Sequence, residues 1–136
     1  MGKKTNNDAN YKASIAFVSK EISARERIMF KDTTNAIKLD EATKEAEGSV
    51  IIDVAYYGEL SIHNEKSDSQ DYSNYIVVDV DGQKYVTGSD SFWRAFTDIV
   101  DELAECGENI EGAKINVYRH DSKNYAGKQF LSCSLV

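Results

Sequence analysis

Two cysteines, Cys106 and Cys133, are all the thiols in the 136-residue chain, and neither sits in a CxxC pair or near a histidine at metal-ligand spacing. A disulfide framework and a zinc site are therefore not expected, and both thiols read as small buried hydrophobes. Long apolar runs are missing too: no stretch of about 18 apolar residues exists to span a bilayer. The opening MGKKTNNDAN has no apolar core of a secretory signal. These absences predict a cytoplasmic protein with no membrane contact.

Catalytic patterns are equally scarce. The two histidines, His63 and His120, lie far apart in sequence. No glycine-rich phosphate loop is present, and no serine follows a nucleophile-elbow pattern. Asp68 and Asp71 lack the ligand spacing of a calcium loop and read as solvated. Neither an enzyme nor a cofactor or metal site is expected.

What is present is charge, unevenly placed. The net charge is −7, which argues against indiscriminate nucleic-acid binding. Residues 1–47 hold nine Lys/Arg against eight Asp/Glu, residues 48–112 three against fourteen, and residues 113–136 four against one. The last segment is a basic island on an acidic chain.

The clearest elements lie between Tyr75 and Gly107. Tyr75–Val80 is rich in β-branched and aromatic residues, Asp81-Gly82 suits a tight hairpin turn, and Gln83–Thr87 resumes the strand. A two-residue loop would set Asp79 opposite Lys84 and Val78 opposite Tyr85. Ser89 and Asp90 can cap a helix in which Phe92, Phe96, Ile99 and Leu103 recur at helical spacing, widened by Trp93 and Val100. Gly107 can close it in a left-handed cap. One face of this helix should cover a core, and Arg94, Asp98, Asp101, Glu102 and Glu105 should meet water.

Before this block, Gly48–Asn64 reads as one long strand. Val50, Ile52, Val54, Tyr56, Leu60 and Ile62 share one face, and Asp53, Ala55, Tyr57, Glu59, Ser61 and His63 the other. Gly58 marks a bulge or bend that lets the strand pair with both halves of a small barrel. Glu65–Ser73 is a polar loop. After the helix, residues 113–136 read as a second hairpin. Ala113, Ile115, Val117, Leu131, Cys133 and Leu135 point inward, Lys114, Asn116, Tyr118, Lys128 and Phe130 outward, and His120–Gly127 forms the loop. Strand, strand, strand, helix, strand, strand is the order of an OB-fold, a five-stranded Greek-key barrel.

The first 47 residues are harder to read. Residues 1–12 are polar and expected to be disordered. Residues 13–47 read as an N-terminal extension packing on the 48–136 domain. Ala13–Val18 is a short apolar run. Ile28 and Phe30 alternate as in a strand, as do Ile37 and Leu39, with Lys31–Asn35 as the turn; a helix over Lys38–Glu47 fits as well.

OB-folds bind single strands by giving bases an aromatic face and phosphates a cation. Tyr118, Arg119, Lys123, Tyr125, Lys128 and Phe130 interleave both in the final hairpin. Lys114 projects beside Tyr118, Tyr57 and His63 lie on the outward face of the first strand, and Lys84 sits on the central hairpin. The competing expectation is that outward rings merely cover the N-terminal segment.

The phrases SIHNEKSDSQDYSNYIVVD, DGQKYVTGSDSFWRAF and SKNYAGKQFLSCSL resemble the single-stranded DNA-binding proteins of bacteriophages infecting Gram-positive bacteria. The resemblance runs over Gly48–Val136, about two-thirds of the chain, and extends to ISARERIMFKDTTNAIKLDEAT. It implies an OB-fold that coats exposed strands in phage replication or recombination, as an oligomer, in the host cytoplasm, alongside phage replication or recombination proteins and without a cofactor. Better-known bacterial relatives end in an acidic tail; here the chain ends at Ser134-Leu135-Val136, so tail-mediated recruitment is not expected. The alternative is an acidic OB-fold module or inhibitor that engages a host or phage protein.

Overall fold

The computed structural model of the protein describes residues 11–45, 49–121 and 127–136. The described chain is mainly β, with strands β1 (Tyr11–Val18), β2 (Ile37–Lys38), β3 (Ser49–Asn64), β4 (Asp71–Asp79), β5 (Lys84–Thr87), β6 (Lys114–Asp121) and β7 (Gln129–Leu135). Three helices accompany them: α1 (Ala24–Lys31), α2 (Leu39–Glu45) and α3 (Asp90–Glu105). All strands join one curled, open sheet in the order β2-β5-β4-β3-β6-β7, with β1 added to β3. From residue 49 onward the order is strand, strand, strand, helix, strand, strand, as expected.

β3 organises the sheet. Along one edge it pairs with β4; along the other it pairs with β6 through Ser49–Asp53 and with β1 through Gly58–Asn64. The expected single inward face does not run its length. Between Val54 and Tyr56 the register against β4 shifts by one residue, and because side chains alternate with period two, everything beyond changes sides. Ile52 and Val54 therefore enter a core with Tyr57, Val77, Phe92, Phe96, Ile115, Val117 and Leu131. Tyr56, Leu60 and Ile62 enter a second core with Phe30, Ile76, Val78 and Val86. The bulge sits at Ala55, not at Gly58. Gly58 has a different task, since a Cβ there would lie 2.3 Å from the Phe17 carbonyl oxygen and 2.8 Å from Phe30 Cζ.

The central hairpin corrects the expected register by one residue. Val78 faces Lys84 and Val77 faces Tyr85, because Asp79 N–H donates to Gln83 O at 2.9 Å and the loop is Val80-Asp81-Gly82. Asp79 Oδ1 accepts from the N–H groups of both Asp81 and Gln83 at 2.9 Å, and Gly82 takes the left-handed φ of +89° that ends such a three-residue turn. The carboxylate that was expected to pair with a cation instead holds the turn together.

α3 follows its expectation closely. Ser89 Oγ accepts from Phe92 N–H, Phe92 and Phe96 are fully buried, and Gly107 (φ +77°) closes the helix. Gly107 N–H donates to Ala104 O at 3.0 Å and Glu108 N–H to Leu103 O at 2.8 Å, the paired bonds of a Schellman cap. Cys133 is buried, and burial pushes its thiol up to about 12. Cys106 departs from expectation: it is the exposed C-cap of α3. Leu135 departs as well, 47% exposed at the end of the edge strand.

The N-terminal extension is more structured than its sequence suggested. Tyr11 and Lys12 already belong to β1, while residues 1–10 lie outside the described residues. Ile28 and Phe30 sit in a helix, not a strand, because Ser23 and Glu26 form a capping box: Ser23 Oγ accepts from Glu26 N–H at 3.1 Å and Glu26 Oε1 from Ser23 N–H at 2.8 Å. Only Phe30 is buried from α1, plugging the second core. Of the helix expected over Lys38–Glu47, Leu39–Glu45 forms α2, Lys38 belongs to the short parallel strand β2 beside β5, and Ala46 and Glu47 lie outside the described residues. Leu39 of α2 is fully buried in the first core.

Gly58→Ala forces the backbone of β1 away from β3. The expected cost is about 1–3 kcal/mol, read as a lower midpoint in urea unfolding, with β1 the first segment to lose amide protection.

Candidate nucleic-acid interface

The final hairpin presents the expected outward face. Antiparallel pairing sets His120 opposite Phe130 and Tyr118 opposite Ser132, with Ser49 of β3 flanking Tyr118. The rings of His120 and Phe130 stack with centroids 5.3 Å apart and planes 27° from parallel; Tyr118 lies 6.3 Å from His120. His120 and Phe130 are exposed and Tyr118 half-buried, while Val117, Leu131 and Cys133 point to the core. No described residue from the N-terminal extension is found in ring contact with this row. Lys128 stands exposed just before β7. Lys114 is on the same face, four residues and so about 13 Å from Tyr118, and makes a long ion pair to Asp53 at 3.9 Å. Lys123 and Tyr125 lie outside the described residues.

Four other sequence-predicted residues are placed elsewhere. Tyr57 is carried by the Ala55 bulge under α3, with its ring 5.0 Å from Phe96, 6.0 Å from Trp93 and 5.9 Å from Phe17. Burial, then the negative charges of Asp101 and Glu111, push its hydroxyl above the ordinary value. Lys84 donates through Nζ to the carbonyl oxygens of Met29 and Asp32 at the end of α1. A cation on carbonyls at a helix C-terminus is stabilising for both charge and dipole reasons. Arg119 turns away from the aromatic row: its Nε donates to Thr43 Oγ1 at 3.2 Å and its Nη2 to Asp40 O, fastening α2 to β6. His63 sits between carboxylates, Nδ1 2.7 Å from Asp71 and Nε2 3.5 Å from Glu65.

Thus the structure brings together Tyr118, Phe130, Lys128 and Lys114, and adds His120, which the sequence reading left in the loop. The period-two spacing of Tyr118 and His120 on one strand was the available signal. Chemically, this surface offers flat rings for stacking and peripheral ammonium groups, with no buried titratable pair and, among the described residues, no group of three His, Cys, Asp or Glu arranged to hold a metal. Comparison with models of protein families, with curated proteins and with solved structures finds none that matches this chain.

The hydrogen bond that His63 donates to Asp71, and then that to Glu65, raise its pKa above 6.5. A raised folded-state pKa means that the ion pairs stabilise the fold fully below the unfolded value and lose that contribution as pH rises through the folded one. In an NMR titration, Asp71→Asn brings the His63 midpoint down toward 6.5. Arg119→Ala removes charge-assisted bonds worth about 1.5–3 kcal/mol, and lowers the thermal midpoint through loosening of α2.

Proposed function

We propose that the protein binds single-stranded DNA stoichiometrically, with bases stacking on the outer face of the final hairpin. The observation that carries this reading is the row Tyr118, His120 and Phe130, three rings presented together on an open strand pair with Lys128 and Lys114 at its margins. Each stacked base is worth about 1–3 kcal/mol and any base offers a π-face, so sequence preference is slight.

The fold proposed is an OB-fold, supported by the element order from β3 to β7 and by β3 pairing with both β4 and β6. In that fold oligonucleotides commonly lie on the face of the second and third strands. Here the outer side of β4 and β5 carries Ile76, Val78 and Val86, packed against Phe30 of α1. That covering favours the β6–β7 face. The resemblance to phage single-strand-binding proteins supports the same reading and extends it to phage replication or recombination, with phage proteins as neighbours on the strand and with self-association on DNA.

A second reading rests on α3. Asp98, Asp101, Glu102, Glu105 and Glu108 are all exposed on one helix and its cap, a surface suited to a basic protein partner. It repels DNA and leaves the aromatic row without a role.

Fluorescence titration with an oligo-dT of about 35 nucleotides, with matched duplex as control, decides between them. Saturable binding to the single strand, weaker for duplex, is expected. Replacing Tyr118 and Phe130 together by Ala should weaken it at least about tenfold and leave the melting temperature nearly unchanged, since both rings are on the outer face. Absence of binding even at low salt overturns the proposal.

A further inference from the structure

Two exposed cations of α1 line a groove that the sequence did not reveal, and the exposed Lys12 of β1 stands at its border. Arg27 and Lys31 stand one turn apart on α1, with Ala24 and Ile28 between and beside them, and face Lys12 and its neighbours on β1 across a cavity of about 430 Å³. Among the described residues, none of the three pairs with a carboxylate within 4.0 Å. Lys84 and Arg119 are used up in holding helices, but these cations hold nothing.

The groove also has rings at its end. Tyr11 faces Asn64 and Tyr72 faces Ile62, so both lie on the α1 side of the sheet, two strands apart. Tyr11 is 43% exposed and Tyr72 half-buried, and each is close enough for Tyr72 to influence the ionisation of Tyr11. Two rings beside three unpaired cations repeat the composition of the final hairpin at the other end of β3.

We propose that this groove between β1 and α1 is a second contact site for the same single strand, with Arg27 and Lys31 on phosphates and Tyr11 on a base. The inference rests on the single-strand reading above. Charge complementarity commits it to a polyanion, and the rings favour a nucleic acid over an acidic peptide. Arg27 and Lys31 are about 6 Å apart along the helix axis, a spacing on the scale of successive phosphates. The hairpin row flanks Ser49 and the groove flanks Asn64, so β3, at most about 50 Å long, separates the two sites. A strand must be long to occupy both.

Length therefore tests it. The wild-type full chain and the variant Arg27→Gln/Lys31→Gln are titrated with oligo-dT of about 8 and about 35 nucleotides at several salt concentrations. The expected result is that the wild-type protein prefers the longer strand beyond the statistical gain in sites. The variant should bind the short strand as before, lose at least about tenfold on the long one, and show a salt slope about 1.4 shallower, at roughly 0.7 per phosphate. Circular dichroism checks the variant's fold. Should it unfold, photocrosslinking of the wild-type chain to halogenated oligo-dU takes its place: adducts at Tyr11 or Tyr72 support the groove, and adducts confined to β6 and β7 overturn it.

An unchanged slope and length preference in a folded variant overturns the groove and leaves the hairpin reading standing. Failure of the wild-type chain to bind either strand overturns both. Poly-glutamate of matched charge, bound as tightly as oligo-dT and lost on the same substitutions, overturns the nucleic-acid assignment in favour of an acidic protein.

Discussion

One extra residue at Ala55 decides which side of the molecule almost everything occupies. A strand of sixteen residues buried on one face alone would need a single run of alternating hydrophobes. β3 instead serves two cores, and the bulge is where it changes from one to the other. Before it, Ile52 and Val54 fill the space under α3; after it, Tyr57 takes over that role, and Tyr56, Leu60 and Ile62 turn toward α1. β1 has an irregularity of its own, between Ile15 and Phe17, against Leu60 and Glu59 of β3. Gly58 follows from the same demand, because β1 can approach β3 there only where no Cβ intervenes.

Having two cores requires two covers, and the N-terminal extension supplies the second. α1 lowers one fully buried side chain, Phe30, onto β3, β4 and β5, while Ile28 and Met29 on its other side stay exposed. α2 contacts β3, β5 and β6 and contributes Leu39 to the first core. No ladder joins β5 to β7 in the described sheet, and α2 instead spans from β5 to β6. Polar clasps hold both helices: Lys84 at the end of α1, Arg119 and Thr87 on α2. Thr87 Oγ1 donates to Asp40 Oδ2 at 3.1 Å while accepting from Ser89 N–H. These cations satisfy backbone carbonyls, which explains why an acidic protein keeps them at partly covered positions.

Legibility in the sequence followed the locality of each signal. The cap, the stripe and the terminating glycine of α3 lie within one segment, and each was read in place. The Asp79–Gln83 turn was recognised but mis-registered, because the Asp79 side chain accepts two turn N–H groups and so stabilises a three-residue loop over a two-residue one. The Ala55 bulge left no local mark. Nothing in Val54-Ala55-Tyr56 distinguishes it from regular strand, and the adjacent glycine drew the inference away by three residues. That one-residue shift places Tyr57 against the core rather than on the outward face. α1 was missed because its apolar side chains do not form one buried stripe, and its cap, Ser23 with Glu26, was the stronger signal. In the site, Tyr118 and Phe130 followed from period-two alternation. The destinations of Lys84 and Arg119 did not, since carbonyls contributed by a distant helix are invisible to spacing.

Charge supplies the last step. The exposed carboxylates of α3 form one surface, and exposed cations stand by both proposed contact faces: Lys128 and the Asp53-paired Lys114 by the hairpin, Lys12, Arg27 and Lys31 by the groove. At ordinary ionic strength the Debye length is about 8–10 Å. The acidic helix is thus screened from sites farther away than that, and a net charge of −7 does not govern encounters at either face. It acts locally, by making α3 a surface that a polyanion avoids. If the protein binds a single strand as proposed, these carboxylates would steer it away from α3 and toward the hairpin and the groove, lowering overall affinity while sharpening where contact is made.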